Sequence, residues 1–213
     1  MRILFYLLLA ISISVNPALA LSASSSPTEL RSYVSRVEKI DNPSEEQLYR
    51  LACAKWWLHD NPGALKSVNQ AIEINPRSSQ YLQLRGLILK GLGSYAESLK
   101  DLNKAIEFGS IKPELYADRS FVKLMLKDLD GAQADADRCL SKKPSDATSW
   151  FVKGGVLMER KRPREAIEAL TKAIETDPAD VVALRVRALA YRQLGKMTEA
   201  NADTARAHSV DGK

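Results

Sequence analysis

Residues 147–180 read ATSWFVKGGVLMERKRPREAIEALTKAIETDPAD. This stretch decides the fold, because its landmarks return at a fixed interval. Ala166 has counterparts at Ala64, Ser98, Ala132 and Ala200, each 34 residues from the next and all small. Seven residues later come Ala71, Ala105, Cys139, Ala173 and Ala207. Pro178 recurs as Pro76 and Pro144, with Ser110 and Gly212 standing in the other two repeats. A period of this length, held in several columns, is the signature of a repeat array in which each unit buries its apolar face against its neighbours. Numbered from Glu45, the repeats are 45–78, 79–112, 113–146, 147–180 and 181–213.

Each repeat carries two amphipathic runs. In repeat two, Leu82, Leu89 and Leu92 precede Gly93-Ser94, and Leu99, Leu102 and Ile106 follow. Spacings of three, four and seven predict helices. Ser44 with Gln47, and Ser94 with Glu97, read as capping boxes. Asn61-Pro62 and Arg162-Pro163 place proline at the first helical position. Gly93 and Gly195 occupy the turn between helices, but Lys127 and Lys161 hold the same place and argue against a strict left-handed requirement. Ala52, Gly86, Ser120, Gly154 and Ala188 form a second small column, on the first helix. The segment 27–43, with Leu30, Val34, Val37 and Ile40 on one side, is expected to form a helix that caps repeat one. The last helix carries Asn201, Thr204 and His208 where repeat two has Leu99, Leu102 and Ile106, so the array is expected to end there.

The residues Trp150, Gly154, Ala166, Leu170, Ala173 and Pro178 of repeat four resemble the tetratricopeptide repeat family. So do Leu82, Gly86, Gly93, Tyr95 and Ala105 of repeat two, and Tyr191, Gly195 and Ala200 of repeat five. The resemblance spans 45–213. Repeat one departs most, with Ala52, Lys55, His59 and Asn61 where family members have Gly, Tyr, Gly and an aromatic, and its turn is expected to differ. The resemblance implies an all-α, right-handed superhelical solenoid whose concave groove binds peptides or helices of other proteins. It places Tyr49, Cys53, Trp56, Trp57, Gln83, Leu87, Lys90, Phe121, Leu124, Met125, Phe151, Met158, Arg185, Leu189 and Arg192 along that groove. Some relatives clamp a terminal carboxylate with a Lys/Asn/Arg set. The matching positions here, Tyr49, Cys53, Leu84, Glu114 and Asp118, lack those cations and the Asn. The expected ligand is instead an apolar segment laid along the groove, with an acidic end near Arg185 and Arg192.

Arg85, Arg119 and Arg187 recur at one column, and Asp101, Asp135 and Asp203 follow sixteen residues on. Repeats one and four have Leu51 with Ser67 and Lys153 with Ala169 instead. This pattern reads as an ion pair between the two helices of a repeat. An arginine row for an anionic ligand is the weaker reading. The run Arg160, Lys161, Arg162, Pro163, Arg164 is the densest charge cluster. It reads as a solvated turn or as a docking spot for anionic lipid or glycan.

The ends and the composition bound the rest. Residues 1–20 hold one charge, Arg2, then an apolar run, Pro17 and Ala18-Leu19-Ala20. That is the pattern of a cleaved secretory signal, and an exported, periplasmic or secreted chain is expected, with a flexible lead at 21–26 and no stable membrane insertion. The net charge of +5 falls to +4 without Arg2, and export disfavours a nucleic-acid partner. Cys53 and Cys139 sit two repeats apart, too far for a disulfide. Gly91 to Ala96 spells a dinucleotide fingerprint, but in a turn between helices rather than after a strand. The two histidines, His59 and His208, stand at opposite ends of the array with no ligand or triad partner at useful spacing. No metal, cofactor or catalytic site is expected. The chain reads as an envelope adaptor that binds another protein, with an anionic-surface module, an unrecognised hydrolase and self-association as alternatives.

Overall fold

The computed structural model describes residues 25–211; the signal-like segment 1–20 and most of the lead lie outside the described residues. Among the described residues there are eleven α-helices and no strand. They are α1 (Pro27–Val37), α2 (Glu45–Trp57), α3 (Asn61–Ile74), α4 (Ser79–Gly91), α5 (Tyr95–Glu107) and α6 (Pro113–Met125). There follow α7 (Leu129–Leu140), α8 (Ala147–Glu159), α9 (Pro163–Thr176), α10 (Val181–Gln193) and α11 (Met197–Asp211). The chain divides into two compact units between Leu92 and Gly93.

In the first unit α1 packs on α2, α2 pairs with α3, and α3 and α2 both touch α4. Ser26 and Glu29 form a reciprocal capping box at the start of α1. This helix ends at Val37, short of the expected 27–43, and Ile40 is left partly exposed. Pro43 disfavours helical backbone at Asn42, so the chain turns before it. Leu30, Tyr33 and Val37 bury against Leu51 and Ala54, with Trp57 and Leu58 at the margin. A second cluster joins Leu48, Ala52, Ala64, Val68 and Ala71 to Tyr81, Leu84 and Ile88.

In the second unit the hairpins α6–α7, α8–α9 and α10–α11 stack in chain order, with α5 on α6, α7 on α8 and α9 on α10. The first helices α6, α8 and α10 also touch in sequence. Both small columns that define the period are fully buried, from Ala64 to Ala200 and from Ala71 to Ala207. They mark where helices approach too closely for larger side chains. At Gly154 an added Cβ would lie 2.5 Å from Leu170 Cγ.

The turns correct two expectations. His59, Lys127 and Lys161 adopt φ of 61°, 65° and 57°, alongside 77° at Gly93 and 73° at Gly195. The left-handed residue is therefore general, and repeat one does not differ. It lets the next N–H reach back five residues, from Asp60 to Lys55, Asp128 to Lys123 and Arg162 to Leu157, each at 2.9 Å. That bond satisfies a carbonyl the helix end would otherwise leave open. Capping departs as well. Ser44 and Gln47 form the expected box, but Ser94 makes no side-chain cap. Asp60 and Asp128, at Ser94's place in their own repeats, do cap, each onto a glycine N–H three residues on. Because Asp60 is the cap, Pro62 occupies the second helical position rather than the first, whereas Pro163 opens α9 as expected.

Candidate partner-binding surfaces on the first helices

The first helix of each repeat carries the residues expected in the groove, and each unit presents its own set. In the first unit Tyr49 is half-buried and its ring lies 5.0 Å from that of Tyr81, tilted by 32°. Cys53, one turn on along α2, packs in the same cluster. Burial pushes that thiol up to about 11 and raises the Tyr49 hydroxyl as well. Cys53 is a free thiol held protonated, and Cys139 is free and buried. The adjacent tryptophans diverge as helical geometry requires. Trp57 packs with α1, and Trp56 packs on the cluster around Leu48 and Tyr81. Gln83, Leu87 and Lys90 are half-buried on α4.

In the second unit an aromatic ladder forms. The rings of Phe121 and Phe151 stack at 6.1 Å and 28°, and Tyr95 meets Phe121 edge-on at 6.5 Å. Phe151 is buried, so it forms wall and not an open anchor, and Leu124 is buried with it. Phe121 and Met158 are half-buried at the margin of the same core, and Met125 and Leu189 are exposed. Tyr95 was not anticipated in this role. Its place at the head of a second helix reads as a turn residue, and only its ring contact with Phe121 brings it to this surface. The two cations expected to meet the acidic end of a ligand have partners within the chain. Arg185 already pairs with Asp211, and Arg192 donates to the Thr204 hydroxyl at 3.0 Å. Both cations are engaged by the last helix of the chain itself.

The charge columns resolve into a lattice. Arg119 donates to both carboxylate oxygens of Asp135 at 2.7 Å, and Arg187 to both of Asp203 at 2.7 and 2.8 Å. All four side chains are largely buried. Lys123 adds a second cation on Asp135 at 2.8 Å. Arg85 and Asp101 belong to different units; Asp101 is buried on α5. A further regularity was missed. Each arginine also reaches sixteen residues back: Arg85 to Asn69, Arg119 to Asn103 and Arg187 to Thr171, at 2.8–3.0 Å. Lys153 does the same to Asp137 at 2.6 Å. One cation thus ties its own repeat to the preceding one. The signal lay in the column Asn69, Asn103, Asp137, Thr171, polar throughout and 34 residues apart.

Two of the four cations of the basic run are ion-paired. Arg160 pairs with Asp130, Arg162 with Glu165, and the neighbouring Lys127 with Glu159. Lys161 is exposed on the turn and Arg164 is exposed in the first turn of α9. A cleft of about 440 Å³ lies beside Arg164, lined by Ile167, Glu168, Tyr191, Leu194 and Lys196. Among the described residues no cluster of three His, Cys, Asp or Glu could hold a metal, and no helix is long and apolar enough to cross a membrane. His59 and His208 are both exposed.

Comparison with known proteins agrees with the hairpin stacking. Tetratricopeptide repeat family models match residues 79–108, 126–181 and 156–208, more than half of the chain. A curated relative is the DnaJ homolog subfamily C member 7 homolog of Schizosaccharomyces pombe, 23% identical over 196 residues. The match covers 83% of this chain and 40% of that protein's length. A thermophilic tetratricopeptide repeat protein of Thermus thermophilus superposes with a TM-score of 0.67 at 19% identity, covering 80% of this chain and 93% of that one. YrrB, described as a tetratricopeptide repeat protein with an unusual peptide-binding site, superposes at 0.58 and 16% identity, covering 86% and 94%. With its 34-residue columns buried between stacked helical hairpins, the chain belongs to the tetratricopeptide repeat family.

Proposed function

We propose that this chain is a non-catalytic adaptor of the cell envelope that holds an apolar or aromatic-rich segment of another protein against its first helices. Tetratricopeptide repeat proteins act as protein-interaction scaffolds, which sets the class of work. The observation that carries the specific reading is the ladder Tyr95, Phe121, Phe151 in the second unit, with Met158 packed beside it and Met125 exposed. Aromatic rings and methionine, backed by a rigid core, are what interfaces use as anchors. Arg185 and Arg192 each have a partner on α11, and the segment held against the ladder is read as apolar. YrrB, by its description, binds peptide on this same fold. The envelope location rests on residues 1–20 alone.

Site-specific photo-crosslinking in the native host tests the reading. Probes replace Leu87 and Met125 on first helices, and a control probe replaces Arg164 at the start of α9, beside the basic turn. A discrete protein adduct from the first-helix probes alone is the expected result. Adducts from Arg164 alone, or adducts to lipid or glycan, would sink it. N-terminal sequencing of the same material checks export, with cleavage expected after Ala20.

A further inference from the structure

One cleft between neighbouring repeats is left open where its counterpart is bridged. Arg164, Ile167 and Glu168 of α9 line it with Tyr191 of α10, Leu194 just after that helix and Lys196 in the turn beyond, around about 440 Å³. One repeat earlier, Arg160 crosses from the end of α8 to α7 and bonds Asp130 and Gln133. At the next repeat those three positions are Leu194, Arg164 and Ile167, so no side chain crosses. The exchange leaves opposite charges available. Arg164 and Glu168, exposed and one turn apart on α9, have no ion-pair partner among the described residues. Lys196 lies 3.7 Å from Glu199, with its ammonium 6.0 Å from the centre of the Tyr191 ring. Ile167, Tyr191 and Leu194 are half-buried and give the cleft an apolar floor.

We propose that this cleft binds a short apolar peptide by its two free ends. The carboxylate sits between Arg164 and Lys196, the ammonium donates to Glu168, and the side chains rest on Ile167, Tyr191 and Leu194. The mixed charge of the lining selects this ligand. A carboxylate alone faces Glu168, and an ammonium alone faces two cations, so a molecule carrying both signs fits better than either. The spacing agrees. Residues four apart on a helix are separated by about 6 Å along its axis, and two extended residues span about 7 Å. A dipeptide therefore brings its ends to the two charges. The volume falls within the roughly 300–1,000 Å³ usual for small-ligand clefts, where a few polar groups converge on an apolar surface. The site does not rest on the groove reading, since none of its residues belongs to the aromatic ladder. A crosslinking probe at Arg164 removes the cation the cleft needs, so that control stays silent.

Titration of the full chain with the dipeptide leucyl-leucine, followed by amide NMR shifts, tests it. Saturable shifts confined to 164–168 and 191–196 are expected. Acetylating the dipeptide's amine or amidating its carboxylate weakens binding by about tenfold each. Arg164→Gln weakens the free dipeptide by a similar factor and leaves the amidated one unchanged; Glu168→Gln does the same for the free and acetylated forms. Both positions are exposed, so the fold tolerates these changes. Shifts that do not saturate, or that lie elsewhere on the chain, would overturn the proposal. So would capped dipeptides that bind as well as the free one, which would reduce the cleft to an apolar patch. A Phe121→Ala chain gives the same titration, which keeps this test separate from that of the groove.

Discussion

Repeat one and repeat five build the same helical hairpin with different chemistry. In repeat five Arg187 clamps Asp203 and reaches back to Thr171, Arg192 holds Thr204, and Arg206 caps the Pro178 carbonyl at 2.8 Å. In repeat one the same columns are Leu51 and Ser67, and Leu51 packs in an apolar cluster with Tyr33 and Trp57. Fully buried alanines are common to both, Ala64 and Ala71 in one, Ala200 and Ala207 in the other. The difference teaches that helix approach is fixed by the small columns, while the remaining contacts are free to be ionic or apolar. The same ion lock recurs in repeat three, as Arg119 on Asp135.

The sharpest way to break the comparison is at the acid column. Asp203→Ala leaves the buried Arg187 without its carboxylate and costs about 3–5 kcal/mol. Ser67→Ala at the same column loses one bond to the Gly63 carbonyl and costs about 1 kcal/mol. Urea denaturation of both variants checks the contrast; equal losses would contradict it.

Alkaline pH separates the repeats in the other direction. The Cys53 thiol is raised to about 11 by burial, so the unfolded chain releases that proton first as pH climbs. The stabilisation is complete below the ordinary thiol value of 9.0 and is lost as pH rises towards 11. A shift of this size corresponds to roughly 2–3 kcal/mol. Denaturation of the wild type and Cys53→Ala between pH 8 and 11 is the check, with a shallower alkaline loss expected in the variant.

Where the repeats are alike, equal effects are expected. Ala64→Leu and Ala200→Leu each overpack a closed contact and cost roughly 1–3 kcal/mol, readable as similar falls in Tm. The smallest effects lie at the turns. His59→Gly relieves a left-handed residue and stabilises by about 1 kcal/mol, and Gly195→Ala loses about as much. A destabilised His59→Gly would show that its side chain, and not the turn, matters there.

Much of this was legible in the sequence because a repeat multiplies every weak signal. Five small residues at one interval fix the hairpin register, and Arg119 with Asp135 could be paired from spacing alone. What escaped depends on distances that no column encodes. Lys127 and Lys161 hid the left-handed turn, since their type does not favour it although their backbone bonds demand it. The capture of Arg185 by Asp211 was invisible because it joins positions 26 apart that occur once. Of the candidate surface, the residue types could be read. Which of them stay open could not, because Phe121 and Phe151 both fall on expected groove positions yet only one is buried.

The most direct measurement is the affinity of the crosslinked partner segment, as a synthetic peptide, for the wild type and for Phe121→Ala. Loss of an anchoring ring predicts a Kd weakened by roughly tenfold or more, with no change in Arg164→Ala. An unchanged Kd in Phe121→Ala, or a loss confined to Arg164→Ala, would contradict the assignment of the first-helix surface as the binding site.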